Sequence, residues 1–247
     1  MANWNDPRPT GTGFGASPSL SGASSRGEVF DAGLRRHMLS IYNYMASGVL
    51  LSGVVALAAA SSGLTASLVG SPLMWLVMLS PLAFVMFMSF GANKFSTTAL
   101  QGMFWGFAVA MGLSLSTIFL VYTGTSIAVT FFATAGAFAG LSLFGYTTKK
   151  SLSGMGSFLI MGVFGILIAS LINLFLQSSG LAWAISFLGV LIFAGLTAYD
   201  TQRLKEQYAY VAGTDFAGKA VVLGALSLYL DFINMFEFLL QFMGDRR

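Results

Sequence analysis

Long apolar stretches, separated by short polar breaks, dominate this chain. No Lys, Arg, Asp or Glu occurs between Arg36 and Lys94, between Lys94 and Lys149, or between Lys150 and Asp200. One helix crosses the hydrocarbon core of a membrane with about 20 apolar residues, so each stretch holds more than one crossing. Breaks rich in Gly, Ser, Thr and Pro divide the stretches further. The pattern predicts seven helices, near residues 37–61, 72–92, 98–122, 127–147, 155–177, 181–202 and 219–243.

The composition indicates a membrane protein. Hydrophobic residues make up 56% of the chain and charged residues 9%, whereas a soluble globular domain has about 25% charged residues. We therefore predict an all-α fold, a polytopic seven-helix bundle surrounded by the lipid bilayer. The basic residues form no stripe with interleaved aromatics, so no nucleic-acid partner is expected. Cysteine is absent, which excludes disulfides and Cys-ligated metal sites.

The first 33 residues differ from the rest of the chain. They are rich in Gly, Ser, Thr and Pro and hold three of the five prolines. They contain no apolar run that could offset the entropy lost on ordering. We predict a disordered cytoplasmic tail over residues 1–33, followed by one transmembrane domain over residues 34–247.

The basic residues predict the orientation of the bundle. Ten of the twelve Lys and Arg residues lie in segments that share one side if seven helices cross the membrane. The positive-inside rule then gives a cytoplasmic N-terminus. Only Arg246 and Arg247 fall on the other side. A re-entrant hairpin over residues 219–243 would bring them inside, but no turn signal interrupts Ala220 to Met243, so seven full spans are predicted.

Two small-residue motifs predict close helix contacts. Gly102-x-x-x-Gly106 and Gly136-x-x-x-Gly140 each place two glycines on one helical face, which lets backbones approach closely. Because a seven-helix bundle needs many such contacts, we expect these faces to pack inside the bundle rather than at a dimer interface.

Two aspartates lie where apolar helices should carry no charge. Asp200 ends the sixth predicted helix and Asp231 lies inside the seventh. A carboxylate at membrane depth is tolerated in a bundle interior or wet cavity, and is typical of ion or proton sites. The two helices are consecutive, so each carboxylate is the other's expected neighbour. On the seventh helix, Gly224, Ser227, Asp231 and Asn234 recur at helical spacing and form a polar stripe that should face protein or water.

Four segments of the chain resemble the Bax inhibitor-1 family, also called transmembrane Bax-inhibitor-motif proteins, in its bacterial branch. They are GFAVAMGLSLSTIF, SLFGYTTKKSLSGMGSFLIMG, FAGLTAYDTQRLK and LSLYLDFINMFEFLL. The most specific parts are Tyr199-Asp200-Thr201-Gln202 and Leu230-Asp231-Phe232-Ile233-Asn234. The resemblance extends from about residue 35 to the C-terminus.

The resemblance implies a bundle in a bacterial inner membrane, with the seventh helix at its centre, that acts as a pH-sensitive calcium leak and not as an enzyme. It implies that Asp200 and Asp231 form a hydrogen-bonded pair that senses pH, gates the path and binds Ca²⁺ weakly. The residues expected beside the pair or along the path are Tyr199, Arg203, Ser227 and Asn234. Family members can carry a cationic partner on the second helix, but residues 73–92 hold no charge. Arg203 and Lys205 are candidate substitutes.

The chemistry of the pair is consistent with this function. Two nearby carboxylates at low dielectric resist double ionisation and should share one proton. A shared proton would hold the sixth and seventh helices together, whereas double ionisation would separate them or admit a cation. Calcium takes about six to eight oxygen ligands when bound tightly. Two aspartates therefore predict a weakly bound, permeant ion and no tightly bound cofactor.

Two other functions are compatible with the same residues. An intramembrane aspartyl protease also uses two carboxylates that share a proton, but its glycine-flanked aspartate and its Pro-Ala-Leu motif are absent here. A regulator that binds a membrane quality-control protease is the second alternative, and a disordered tail would suit it. Partner binding that depends on residues 1–33, without ion flux, would distinguish the regulator from the leak.

Overall fold

A computed structural model describes residues 21–247, with side chains from Glu28 onward. This part is mainly helical, and it contains no β-structure beyond an isolated bridge between Tyr122 and Arg246. Its helices are α1 (Ser21–Ser61), α2 (Leu64–Leu68), α3 (Leu73–Gly91), α4 (Thr97–Leu115), α5 (Ile118–Val121), α6 (Gly124–Thr147), α7 (Ser153–Leu176), α8 (Ser179–Val211) and α9 (Ala217–Met243).

Seven helical segments are long and apolar enough to cross a membrane, namely α1 from Glu28 onward, α3, α4 together with α5, α6, α7, α8 and α9. The predicted all-α fold with seven long helices is therefore confirmed. The predicted helix 98–122 is divided, because α4 ends at Leu115 and α5 follows. At the break, the Ser116 hydroxyl donates to the Leu113 carbonyl at 2.6 Å and accepts from Thr65 of α2 at 2.8 Å. Side-chain bonds of this kind compete with continued helix.

Helix α8 continues nine residues beyond the predicted end at 202. Charged residues from Arg203 onward indicated the membrane boundary, but a membrane boundary is not a helix end. The extension is amphipathic, since Leu204 and Val211 are buried while Glu206 and Tyr210 are exposed. Its buried face gives it a packing reason to remain helical.

Helix α1 begins earlier than predicted. Residues 1–20 of the predicted disordered tail lie outside the described residues, but residues 21–33 form the first turns of α1. These turns contact the α8 extension, where the Phe30 and Tyr208 rings lie 5.2 Å apart and Tyr208 also lies against Gly33. The structure therefore differs from the prediction over residues 21–33, because the contact with α8 could not be inferred from local composition.

Helix α9 packs against α1, α3, α4, α6 and α8. Its Tyr229 side chain is fully buried and hydrogen-bonds to Ser52 of α1 at 2.6 Å. Ser52 donates its single hydroxyl proton to the Ala108 carbonyl of α4 at 2.6 Å. The Ser52 oxygen must therefore accept the hydrogen bond that the Tyr229 hydroxyl donates. This chain of hydrogen bonds joins three helices through groups that would otherwise be buried without partners.

The glycine motifs do not make the predicted contacts. A Cβ added at Gly102, Gly136 or Gly140 would meet no atom of the described residues within 4 Å, and in the second motif both glycines are exposed. The prediction of intramolecular packing is wrong for these three, whereas Gly106 faces the Phe84 ring of α3, which a Cβ added at Gly106 would approach to 3.0 Å. The close α6–α8 approach occurs instead at Gly145, which lies against the backbone of Ala198.

The basic loops meet at one end of the bundle. Lys219, at the start of α9, donates to the Ala92 carbonyl after α3 at 3.2 Å. Lys205 donates to the Tyr146 carbonyl at 2.7 Å, near the end of α6. Residues 91–97, 147–152 and 203–219 therefore lie together, as the predicted topology requires; we call this the basic end.

The opposite end holds the C-terminus. After α9, the Asp245 carbonyl accepts from the Thr123 amide at 3.1 Å, and the Arg247 amide donates to the Val121 carbonyl at 2.9 Å. Helix α9 is one unbroken helix of 27 residues, about 40 Å long. It reaches from the basic end to the opposite end, so the last helix is continuous and does not form the re-entrant hairpin.

Candidate ion and proton site

The candidate site lies between α8 and α9, two antiparallel helices joined by the turn at residues 212–216. Their facing surfaces place Asp200 of α8 opposite Ser227 of α9. Asp231 lies one helical turn beyond Ser227, about 6 Å further along the α9 axis. Both carboxylates are buried, with 6% of Asp200 and 5% of Asp231 exposed.

Asp200 is well supplied with hydrogen-bond donors. The Ser227 hydroxyl donates to Asp200 Oδ2 in a short hydrogen bond. Arg203, one turn along α8, lies with its Nη2 3.4 Å from Asp200 Oδ1 and also donates to the Ser227 hydroxyl at 3.2 Å. The three side chains form a closed ring in which each contacts the other two. Asp200 therefore accepts a hydrogen bond from the hydroxyl and forms an ion pair with the guanidinium.

Asp231 has different surroundings. Its Oδ2 atom is buried and has no hydrogen-bond partner among the described residues. Ser227 lies one turn before Asp231 and bonds to Asp200, so the second carboxylate is on the facing helix nearby. The direct hydrogen bond between the two carboxylates that the resemblance implies stays a prediction.

The other expected residues fall into two groups. The Arg203 guanidinium lies 5.8 Å from the centre of the Tyr199 aromatic ring. Tyr199 therefore contacts the cation that pairs with Asp200. Asn234 donates to the Leu230 carbonyl of its own helix at 2.7 Å and is not brought into the site. Between the two basic candidates, Arg203 contacts Asp200 and Lys205 does not.

Four consecutive residues of α8, Tyr199–Gln202, each contact a different part of the bundle. Tyr199 packs against Gly156 of α7, and Asp200 contacts α9. Thr201 hydrogen-bonds to Ser142 of α6 at 2.9 Å, and Gln202 bonds to the loop between α6 and α7. Successive helical residues point about 100° apart, so four in a row can each contact a different neighbour. Sequence reasoning recognised the motif but missed the positioning roles of Thr201 and Gln202, whose polarity in an apolar helix was the available signal.

A polar cleft opens beside the site at the basic end. Its volume is about 510 Å³, and its lining includes Arg203, Glu206, Gln207 and Gly224. Arg203 is half-exposed and lies between this cleft and Asp200. Within the described residues, no group of three or more His, Asp or Glu side chains could hold a metal ion. Further oxygen ligands for a cation at the two aspartates would have to come from carbonyls, hydroxyls or water.

Comparison with known proteins identifies the family. The family model described as "Inhibitor of apoptosis-promoting Bax1" matches residues 34–247. The inner membrane protein YbhL of Escherichia coli K12 is 44% identical over 220 residues, covering 87% of this chain and 94% of YbhL. A Caulobacter vibrioides protein is 47% identical over 229 residues, covering 88% of this chain and 91% of its own. RP147 of Rickettsia prowazekii is 44% identical over 226 residues, covering 91% and 95%. The chain therefore belongs to the Bax inhibitor-1 family of membrane proteins.

Proposed function

We propose that this protein is a pH-sensitive cation leak of a bacterial inner membrane, with calcium as a weakly bound permeant ion and the α8–α9 site as its gate. Asp231 gives the strongest support, because it is a buried carboxylate with an oxygen that has no partner among the described residues, one turn from the serine that bonds to Asp200. A merely structural carboxylate at this depth would be expected to have its hydrogen bonds satisfied.

The surroundings of the two aspartates favour a state in which one is protonated and the other is ionised. In the proposed closed state Asp200 is the charged member of the pair, because it accepts a hydrogen bond from the Ser227 hydroxyl and forms an ion pair with the Arg203 guanidinium. An ionised Asp231 would be buried near this negative charge and without a donor at Oδ2, which is costly. We infer that the described conformation is the closed state and that Asp231 carries the proton in it.

Both gain and loss of a proton would weaken this conformation. At higher pH, Asp231 loses its proton, and two negative charges favour hydration and separation of α8 and α9. At lower pH, Asp200 gains a proton and loses its ion pair with Arg203. The leak is then lowest where the pair holds one proton, and it rises on both sides of that pH.

Calcium is the proposed permeant ion because carboxylates are hard oxygen ligands. A cation from the basic end would pass the polar cleft beside Arg203 and reach Asp200. Two aspartates supply too few ligands for tight binding, and a path needs sites that release the ion readily.

The experiment is calcium flux into liposomes that contain the purified protein, measured across acidic to alkaline pH. We expect flux above that of empty liposomes, with a minimum in its pH dependence. Flux equal to that of empty liposomes at every pH contradicts the proposal. Peptide cleavage lost on substitution of either aspartate, with unchanged ion flux, would instead support the aspartyl protease.

The proposed orientation has the N-terminus and the basic end in the cytoplasm. It rests on the ten Lys and Arg residues expected on that side. Because the chain has no cysteine, single cysteines introduced at Lys149 and at Gly124 give clean labelling sites at opposite ends. An impermeant thiol reagent outside the cell should label position 124 and not position 149, and the reverse result contradicts this orientation.

A further inference from the structure

A large cavity lies away from the two aspartates. It has a volume of about 810 Å³ and lies between α1 and α6, with Phe232 of α9 contributing to its lining. Both helices pack against α9. A hydrogen bond between Tyr42 and Ser142, at 2.6 Å, joins them near the basic end. We call this cavity the α1–α6 groove.

The groove is apolar along most of its length. Its lining includes the rings of Phe131, Phe138 and Phe232, with edge-to-face contacts of 5.5 and 5.6 Å between the last and the first two. Ala46 and Ala139 also line it and leave space in front of the rings. An ion gains nothing from such walls, whereas a hydrocarbon chain makes dispersion contacts with them. The walls therefore suit a hydrocarbon ligand.

The basic end of the groove carries a charge. Arg35 of α1 lines this end, is exposed and makes no ion pair among the described residues. Tyr42, Ser142 and Tyr146 are also in the lining near this end. A cation with several hydroxyl groups beside an apolar groove complements an anionic headgroup with ester oxygens and acyl chains.

The length of the groove matches one leaflet. Fifteen residues of α1 separate Arg35 from Leu50, the two limits of its lining on that helix, which corresponds to about 22 Å. Half of a bilayer with its headgroups measures about 20–22 Å. At the far limit, Val49 and Phe131 also line a smaller cavity of about 320 Å³ and so lie between the two spaces. A transmembrane helix of a partner protein would need a groove as long as the whole hydrocarbon core, whereas a lipid needs only one leaflet.

We propose that the α1–α6 groove is a binding site for one anionic phospholipid of the leaflet at the basic end. Its phosphate pairs with Arg35, its ester oxygens lie near Tyr42 and Tyr146, and an acyl chain occupies the space over Phe138 and Phe232. This site is separate from the proposed gate, and its test does not depend on ion flux.

The test is native mass spectrometry of the full chain in mild detergent, with phosphatidylglycerol or phosphatidylcholine of identical chains added. We expect one retained lipid, with phosphatidylglycerol preferred about five-fold, the effect of one basic residue on an anionic lipid. Arg35→Gln should abolish the preference. Arg36→Gln is the matched control, since Arg36 is the exposed neighbour outside the groove lining.

A second pair of variants tests the acyl chain. Ala139→Trp should fill the groove and remove the retained lipid of either kind. Ala137→Trp should have no effect, because Ala137 is exposed on the same helix but outside the groove lining. Glycerol phosphate, which has no chains, should not displace the lipid.

Several results would overturn the lipid site. Equal headgroup preference in Arg35→Gln and Arg36→Gln excludes the charge pairing, and wild-type retention in Ala139→Trp excludes the groove. A dimer of the chain that Ala139→Trp dissociates, with no retained lipid in either form, would assign the groove to a second copy. Displacement by glycerol phosphate would indicate a phosphate site without an acyl chain.

Discussion

Asp200 and Asp231 are the same residue type on adjacent helices, buried to nearly the same degree, yet their surroundings are opposite. Asp200 accepts from Ser227 and pairs with Arg203, whereas Asp231 has a carboxylate oxygen without any partner in the described structure. Burial alone therefore does not decide what a carboxylate does. The donors around it decide which protonation state a given packing of α8 and α9 can hold.

The largest expected effect comes from the aspartate with partners. Asp200→Asn removes the ion pair with Arg203 and the charge of the acceptor for Ser227, and a hydrogen bond to a charged group contributes about 1.5–3 kcal/mol. We expect leak at neutral pH to rise about ten-fold or more. Asp215→Asn is the control, because Asp215 is exposed in the turn between the same helices. Equal flux in the two variants would show that the partners of Asp200 do not hold the gate.

The hydroxyl in the ring of three side chains should have a smaller effect. Ser227→Ala removes the donor to Asp200 while leaving both carboxylates and Arg203 in place. We expect a rise in leak of about five-fold, since water replaces part of the lost bond. Asn234→Ala is the matched control on the same polar stripe, because Asn234 bonds only to the backbone of its own helix. If Asn234→Ala raises flux as much as Ser227→Ala does, then the whole stripe lines the path.

The ion pair should have the smallest effect of the three. Arg203 is half-exposed, and exposed pairs contribute about 0.2–1 kcal/mol. Arg203→Gln should therefore raise leak by at most about five-fold, and the difference should shrink at high salt, where exposed charges are screened. Lys205→Gln is the control, since Lys205 bonds to the Tyr146 carbonyl and not to Asp200. A salt-independent change in Arg203→Gln would mean that Arg203 acts by packing rather than by charge.

The helices could be predicted from sequence because their cause is local. About 20 apolar residues between polar breaks are enough to define a membrane span, and all seven long helices were found this way. The extents of α1 and α8 could not be predicted, because the ends of these helices stabilise each other through Phe30 and Tyr208, which are far apart in the chain.

The candidate site was only partly accessible from sequence. Asp200 and Asp231 could be identified because a charge inside an apolar helix is energetically costly, and Ser227 because it lies at helical spacing from Asp231. The structure places Asp200 and Ser227 in contact. Which residue of α9 lies opposite Asp200 depends on how α8 and α9 are aligned, which no local pattern encodes. The same is true of Gly136 and Gly140, whose spacing suggested packing but whose face meets no other helix.

The most direct test of the central claim is the pH dependence of calcium flux in liposomes for the wild type and the two single Asn variants, measured side by side. The account predicts a minimum for the wild type. Asp231→Asn should remove the rise toward alkaline pH, because the amide cannot lose a proton, and Asp200→Asn should remove the rise toward acid, because that variant already lacks the charge. Loss of the same rise, acid or alkaline, in both variants would contradict the assignment of one proton to this pair. Flux curves that overlay the wild type at every pH would contradict it as well.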